Sequence, residues 1–228
     1  MIVYHGNDKI IDNPKIEKDT VRGDYGPGFY CTMDENTARE WASTYTQSGY
    51  VNQYEFTQGR LKMVDLCDGN FTILSWLAVL LKYRSLDMKS SLTMERRDYI
   101  VENFLPDLEK VDIIKGIRAD NTNFYIAKQF LNNSVSLATF RDSIGRLENE
   151  AELVLCSEKA LTRMIFLKAE PVLWQAYFSA AVEKDLSLRQ EFLVKKASER
   201  VSEELFIADI IKKGWTQYEN KLPPMLYR

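Results

Sequence analysis

Apolar and polar positions change their period repeatedly along this chain. Ile2-Val3-Tyr4-His5 is short, apolar at its start and β-prone, and Gly6 stops it, the pattern of a strand ending at a close backbone approach. Residues 12–24 are polar, contain Pro14 and predict a loop. Gly26-Pro27-Gly28 follows, where glycine permits backbone angles closed to other residues, and Phe29-Tyr30-Cys31-Thr32 reads as a second strand. Thr32 or Asp34 then caps a helix on which Ala38, Trp41, Ala42 and Tyr45 recur at helical spacing. Residues 51–56 alternate as a third strand, and 61–66 make a fourth. Over 72–83, Ile73, Leu74, Leu77, Leu80 and Leu81 predict an amphipathic helix with one strongly apolar face. Residues 85–98 are charged and mixed, the pattern of a loop or irregular helix.

The second half continues the mixture. Residues 112–116 are strand-like and 121–131 helical, and Ser136 caps a helix bearing Leu137, Phe140 and Ile144. Residues 151–155 form a strand, followed by a short helix from Ser157, and 164–167 form the last strand. From Glu170 no β signal is visible. Pro171 suits a first helical turn, and two helices follow, the second with Leu193, Ala197, Val201, Leu205, Ala208 and Ile211 on one face. The chain therefore reads as an α+β body over 1–168 and a helical C-terminal extension over 169–228, without internal repeats.

Composition narrows the chemistry. With 228 residues, 45% hydrophobic and 28% charged, the chain can build a real core. Its net charge of -3 argues against a strongly basic nucleic-acid binder. Cys31, Cys67 and Cys156 are too far apart in sequence for a zinc motif and read as free thiols in a reducing cytoplasm. The start lacks a signal-peptide pattern, and the longest apolar run, 73–81, is too short to span a bilayer, so no membrane association is expected. Histidine occurs once, at His5. A histidine-rich metal site is excluded, and any other general base must be a carboxylate, Tyr or Lys. Asp65, Asp68 and Asp112 have no histidine beside them, so a metal-dependent hydrolase is rejected and no metal is expected.

Singly, the remaining features are ordinary. A lone His after an apolar strand is more often structural, and a Tyr in a Gly-flanked strand usually packs. Glu150 and Glu152 share a strand face, which is commonly just solvated. Together and in this order they resemble the ADP-ribosyltransferase superfamily of the His-Tyr-Glu type. More narrowly they resemble bacterial members that open M-x-V/L-Y-H-G-S and continue into G-x-G-F-Y-x-T. The matching stretches are Val3-Tyr4-His5-Gly6, Asp24-Tyr25-Gly26-Pro27-Gly28-Phe29-Tyr30-Cys31-Thr32, Glu40-Trp41-Ala42, Trp76-Leu77, and the Glu152 strand running into Ser157-Glu158-Lys159-Ala160-Leu161. The resemblance spans residues 1–168.

It implies a split β-sheet core around an NAD⁺ cleft, flanking helices, and NAD⁺ as substrate without a metal. Catalytic His5, Tyr30 and Glu152 follow from it. His5 would bond a ribose hydroxyl, the backbone of Gly6 would hold the nicotinamide carboxamide, and Tyr30 would stack on the pyridinium ring. Glu152 would bind the 2′-hydroxyl and stabilise the oxocarbenium-like charge, a kind of term worth roughly 3–4 kcal/mol. Glu150, two residues earlier, would engage an acceptor guanidinium. Arg22 and Tyr25 would reach the adenine or pyrophosphate. Glu158 is the fallback carboxylate, although a first-turn helix position explains it well. Trp41 and Trp76 are assigned to core packing.

The implied activity is mono-ADP-ribosyl transfer to a macromolecular acceptor, a protein side chain ahead of a nucleic-acid base, in a toxin–antitoxin or phage-defence setting or as a delivered effector. The helical extension covers the sheet or binds an antitoxin or a second copy. The alternative of another class is an inactive NAD⁺- or partner-binding module acting through its C-terminal helices.

Overall fold

The computed structural model describes residues 1–16, 23–44, 46–85, 90–144, 151–198, 205–219 and 221–223. Arg22, Tyr45, Glu150 and Val201 lie outside the described residues. The fold is α+β, with seven strands in one mixed sheet and eight helices among the described residues.

The chain forms two compact units. The first comprises Met1–Asp65, Leu108–Arg118 and Asn149–Lys184. It holds every strand: β1 (Ile2–Asn7), β2 (Phe29–Thr32), β3 (Gly49–Phe56), β4 (Met63–Asp65), β5 (Ile113–Ile117), β6 (Ala151–Leu155) and β7 (Met164–Val172). The order is β4-β5-β6-β2-β1-β3-β7, and only β4–β5 is parallel. Two apolar layers sandwich this sheet. On one face Val3, Phe29, Cys31, Tyr54, Phe56, Leu153 and Leu155 pack with Ala160 and Leu161 of α6 (Glu158–Leu161). On the other, Ala38 and Ala42 of α1 (Glu35–Ala42) pack with Val51 and Val172. Asp34 caps α1, its carboxylate accepting the Thr37 N–H at 2.6 Å, and Ser157 caps α6 in the same way.

The second unit comprises Leu66–Asp107, Ala119–Glu148 and Asp185–Arg228. It contains α2 (Ile73–Tyr83), α3 (Ser91–Phe104), α4 (Asn121–Leu131), α5 (Leu137–Ile144) and α8 (Ile207–Lys212), and α7 (Trp174–Ser198) runs into it from the first unit. Its core is aromatic: Phe130 stacks on Phe140 at 4.7 Å, and Trp76, fully buried, lies 6.4 Å from Phe140. No described helix is long and apolar enough to cross a membrane.

Four sequence expectations are revised. Every residue of α2 from Ile73 to Leu81 is buried, so this helix is covered all round rather than on one face. Residues 91–104 form a regular helix, where 85–98 read as a loop or irregular helix. Thr93, Ile100 and Phe104 are its only buried positions, too sparse an apolar stripe to be visible in the sequence. Strand β7 runs past residue 168 to Val172, where β structure was not expected. Val172 is buried against α1, Arg39 reaches Glu170 at 2.9 Å, and Pro171 is tolerated because β7 is an edge strand. The apolar stripe expected from Leu193 to Ile211 is divided between α7 and α8.

Candidate active site

The candidate residues gather where β1, β2 and β6 run side by side. Strands β1 and β2 pair at one position, Tyr4↔Thr32, whereas β2 and β6 pair along the whole of β2. In that register Gly6 lies opposite Tyr30, beyond the last paired position. A side chain spans the seam there: the His5 Nδ1–H donates to the Tyr30 carbonyl at 2.7 Å. A carbonyl can only accept, so the proton is on Nδ1 and Nε2 is left as the acceptor, which Asn7 Nδ2 meets at 3.3 Å. Burial disfavours the imidazolium and lowers the His5 pKa, against the bond to Tyr30 that raises it. Asn52, fully buried on β3, accepts from Ile11 N–H and donates to the carbonyls of His5 and Lys9, fixing the turn after β1.

Pairing also fixes the faces. Thr32 is opposite both Tyr4 and Glu152, and Glu152 is opposite Gly116. Directly paired residues share a face, as do residues two apart. Tyr30, Thr32, Gly6 and Glu152 therefore lie on the face that carries α1. His5 belongs to the opposite face, with its ring 4.4 Å from that of Phe29. The structure thus brings Gly6, Tyr30 and Glu152 together and ties His5 to the backbone of Tyr30 rather than to its phenol.

Each of these side chains is held. The Tyr30 hydroxyl donates to the Gly26 carbonyl at 2.6 Å and accepts the Tyr25 N–H at 3.1 Å. Its pKa is pushed up, chiefly by burial, and the charge of Glu152 adds to the rise. Gly26 has φ of 82°, which explains a glycine at this turn. Glu152 is buried at 6% exposure. Its Oε1 lies 3.8 Å from Arg118 Nε, and the Arg118 guanidinium stands 5.3 Å over the Trp41 ring. At Gly6 the direction of a Cβ is filled by α1, with the Ala38 carbonyl 2.0 Å away, so helix packing alone demands glycine there. Tyr25, 1% exposed, sends its hydroxyl to the Ile117 carbonyl, and a Cβ on Gly116 would collide with it. Glu158 sits in the first turn of α6.

A family model described as "Protein of unknown function (DUF3990)" matches residues 1–166. The chain belongs to this family. No curated protein and no solved structure matches it. The DUF3990 match takes in β1 to β6 with every site residue named above and ends inside β7, leaving α7 and α8 outside.

Sequence reasoning missed three residues of this DUF3990 site. Asn7 stands two positions after His5 on the same strand face, a spacing that could have flagged it. Arg118 follows β5 with no motif around it. Trp41, assigned to the core, is half-buried under Arg118, and among the described residues its indole N–H has no hydrogen-bond partner. A cavity of about 420 Å³ lies in the helical unit, lined by Lys82, Arg84, Arg97 and their neighbours. Among the described residues no three His, Cys, Asp or Glu side chains gather as a metal site.

Proposed function

We propose that this chain is a mono-ADP-ribosyltransferase that takes ADP-ribose from NAD⁺. The observation that carries the reading is the meeting of Tyr30 and Glu152 on one sheet face beside Gly6, where the β1–β2 ladder stops. A planar cation needs an aromatic face, and a ribosyl cation needs a fixed negative charge. Tyr30 supplies the first and Glu152 the second. The open edge of β1 offers Gly6 backbone groups to the nicotinamide carboxamide. His5, whose ring lies on the opposite face, contributes through its Nδ1–H bond to the Tyr30 carbonyl, which holds β2 at the seam beside Gly6.

In the reaction the bond from C1′ to the nicotinamide nitrogen breaks, and its electron pair neutralises the departing ring. The acceptor nucleophile adds to C1′ and loses its proton. No general acid is needed for a leaving group that is already cationic, so the chemistry rests on positioning and on Glu152. The acceptor is macromolecular, a protein side chain ahead of a nucleic-acid base. Glu150 and Arg22 keep the roles the resemblance implies, whereas Tyr25 has none toward ligand here. An antitoxin or a second copy is the proposed partner of the C-terminal helices, in a cytoplasmic toxin or phage-defence setting.

The burial of Glu152 favours a second reading, an inactive module that retains the fold for binding. One assay separates the two. Purified protein is incubated with NAD⁺ and free nicotinamide is measured; Glu152→Gln is expected to lower release by about 10²–10³-fold. Absence of both release and NAD⁺ binding in the unaltered chain rejects the enzyme. Labelled NAD⁺ in a lysate, followed by protease or nuclease, identifies the acceptor class.

A further inference from the structure

Arg118 stands one residue beyond β5, whose Gly116 is paired with Glu152. Two residues along, Arg118 projects to the same side of the sheet. Its Nε is 3.8 Å from Glu152 Oε1, with the carboxylate side chain 7% exposed and the arginine 36%. The guanidinium is 5.3 Å over the Trp41 ring, and Trp41 is itself lodged against Gly6, where an added Cβ would stand 2.8 Å from the Trp41 Cβ. A carboxylate this buried keeps its charge and its direction only against a fixed cation. Arginine suits that place because it stays charged and lies flat on indole.

We infer that Arg118 is a positioning residue for Glu152, seated on Trp41, and that it acts on the reaction through that carboxylate rather than by touching NAD⁺. The inference rests on the reading of Glu152 given under Proposed function. Loss of Arg118 removes the cation that faces Glu152 Oε1, so the transition state suffers while NAD⁺ binding does not. Trp41 contributes one step further back, by keeping the guanidinium over the carboxylate.

The test is a double-mutant cycle on the full chain, read as kcat and KM for NAD⁺ from nicotinamide release, with circular dichroism to verify folding. Arg118→Met, which keeps the stem on Trp41, is expected to lower kcat by about 10- to 100-fold with KM within about twofold. In a Glu152→Gln background the same change should move the residual kcat by less than about twofold. Arg118→Lys, the safer variant for folding, should recover part of kcat. A rise in KM for NAD⁺, or equal losses in both backgrounds, overturns the inference and makes Arg118 a direct ligand contact. An unaltered chain that releases no nicotinamide overturns the proposed function and this inference with it. An active chain with additive losses overturns the inference alone.

Discussion

An imidazole set between a backbone carbonyl and a side-chain amide has its proton placed for it. His5 donates from Nδ1 to Tyr30 and faces Asn7 with Nε2, and burial holds its pKa below the ordinary 6.5. At pH values between the folded and unfolded pKa, the unfolded chain binds a proton that the folded one refuses. Stability contributed by a neutral His5 is therefore complete above 6.5 and lost as pH falls through the depressed folded value. Because the chain has a single histidine, its imidazole resonances are unambiguous. An NMR titration should give a midpoint below 6.5; one at or above it would mean that the seam is solvated. The importance of His5 and Tyr30 could be suspected from their glycine-flanked contexts. Arg118 could not be, because its meaning comes from β5 lying beside β6, a pairing that joins positions more than thirty residues apart.

At the scale of elements, the Asp112 carboxylate ties the start of β5 to α6. Asp112 accepts from the Ser157 hydroxyl at 2.6 Å, from the Lys62 N–H at 2.9 Å and from Lys159 at 3.2 Å. The Ser157 bond is the main reason its pKa lies below the ordinary carboxylate value, with the Lys62 N–H next. The stability it confers is present above the unfolded pKa of about 3.9 and is lost as pH falls through the folded value. Ser157→Ala removes the α6 cap and this bond together and should cost about 1 kcal/mol in urea unfolding at neutral pH. The difference from the unaltered chain should shrink on acidification, because protonated Asp112 has already lost its advantage. An unchanged midpoint would mean that the cap is idle.

Elements with strong local signals were legible. Strands β1, β2 and β6 and the capped helices α1, α4, α5 and α6 fall where apolar period and capping residues place them. Where tertiary packing supplies the reason, the sequence was mute. Helix α3 carries Arg96 and Arg97, which look like loop charges, yet they donate to the carbonyls of Leu131 and Leu81. The end of β7 is strand because β3 offers it an edge, although Pro171 reads locally as a helix start.

At the scale of the whole molecule, the chain passes between its two compact units at residues 65/66, 107/108, 118/119, 148/149 and 184/185. A composition shift near residue 168 cannot express an arrangement of that kind, because each unit draws on three separate stretches. The same interleaving explains why the DUF3990 match, continuous over 1–166, takes in parts of both units. Cys31 gives a way to observe β2 within this arrangement. It is fully buried, sits between Tyr30 and Thr32, and has a thiol pKa pushed up by burial. Such a sulfhydryl is invisible to an alkylating reagent until the strand lets go. With Cys67 and Cys156 replaced by serine, the pace of iodoacetamide uptake becomes a clock for departures of β2 from the sheet. Saturating NAD⁺ should slow that clock if the dinucleotide settles on the same strand, and an unaltered pace would place it elsewhere.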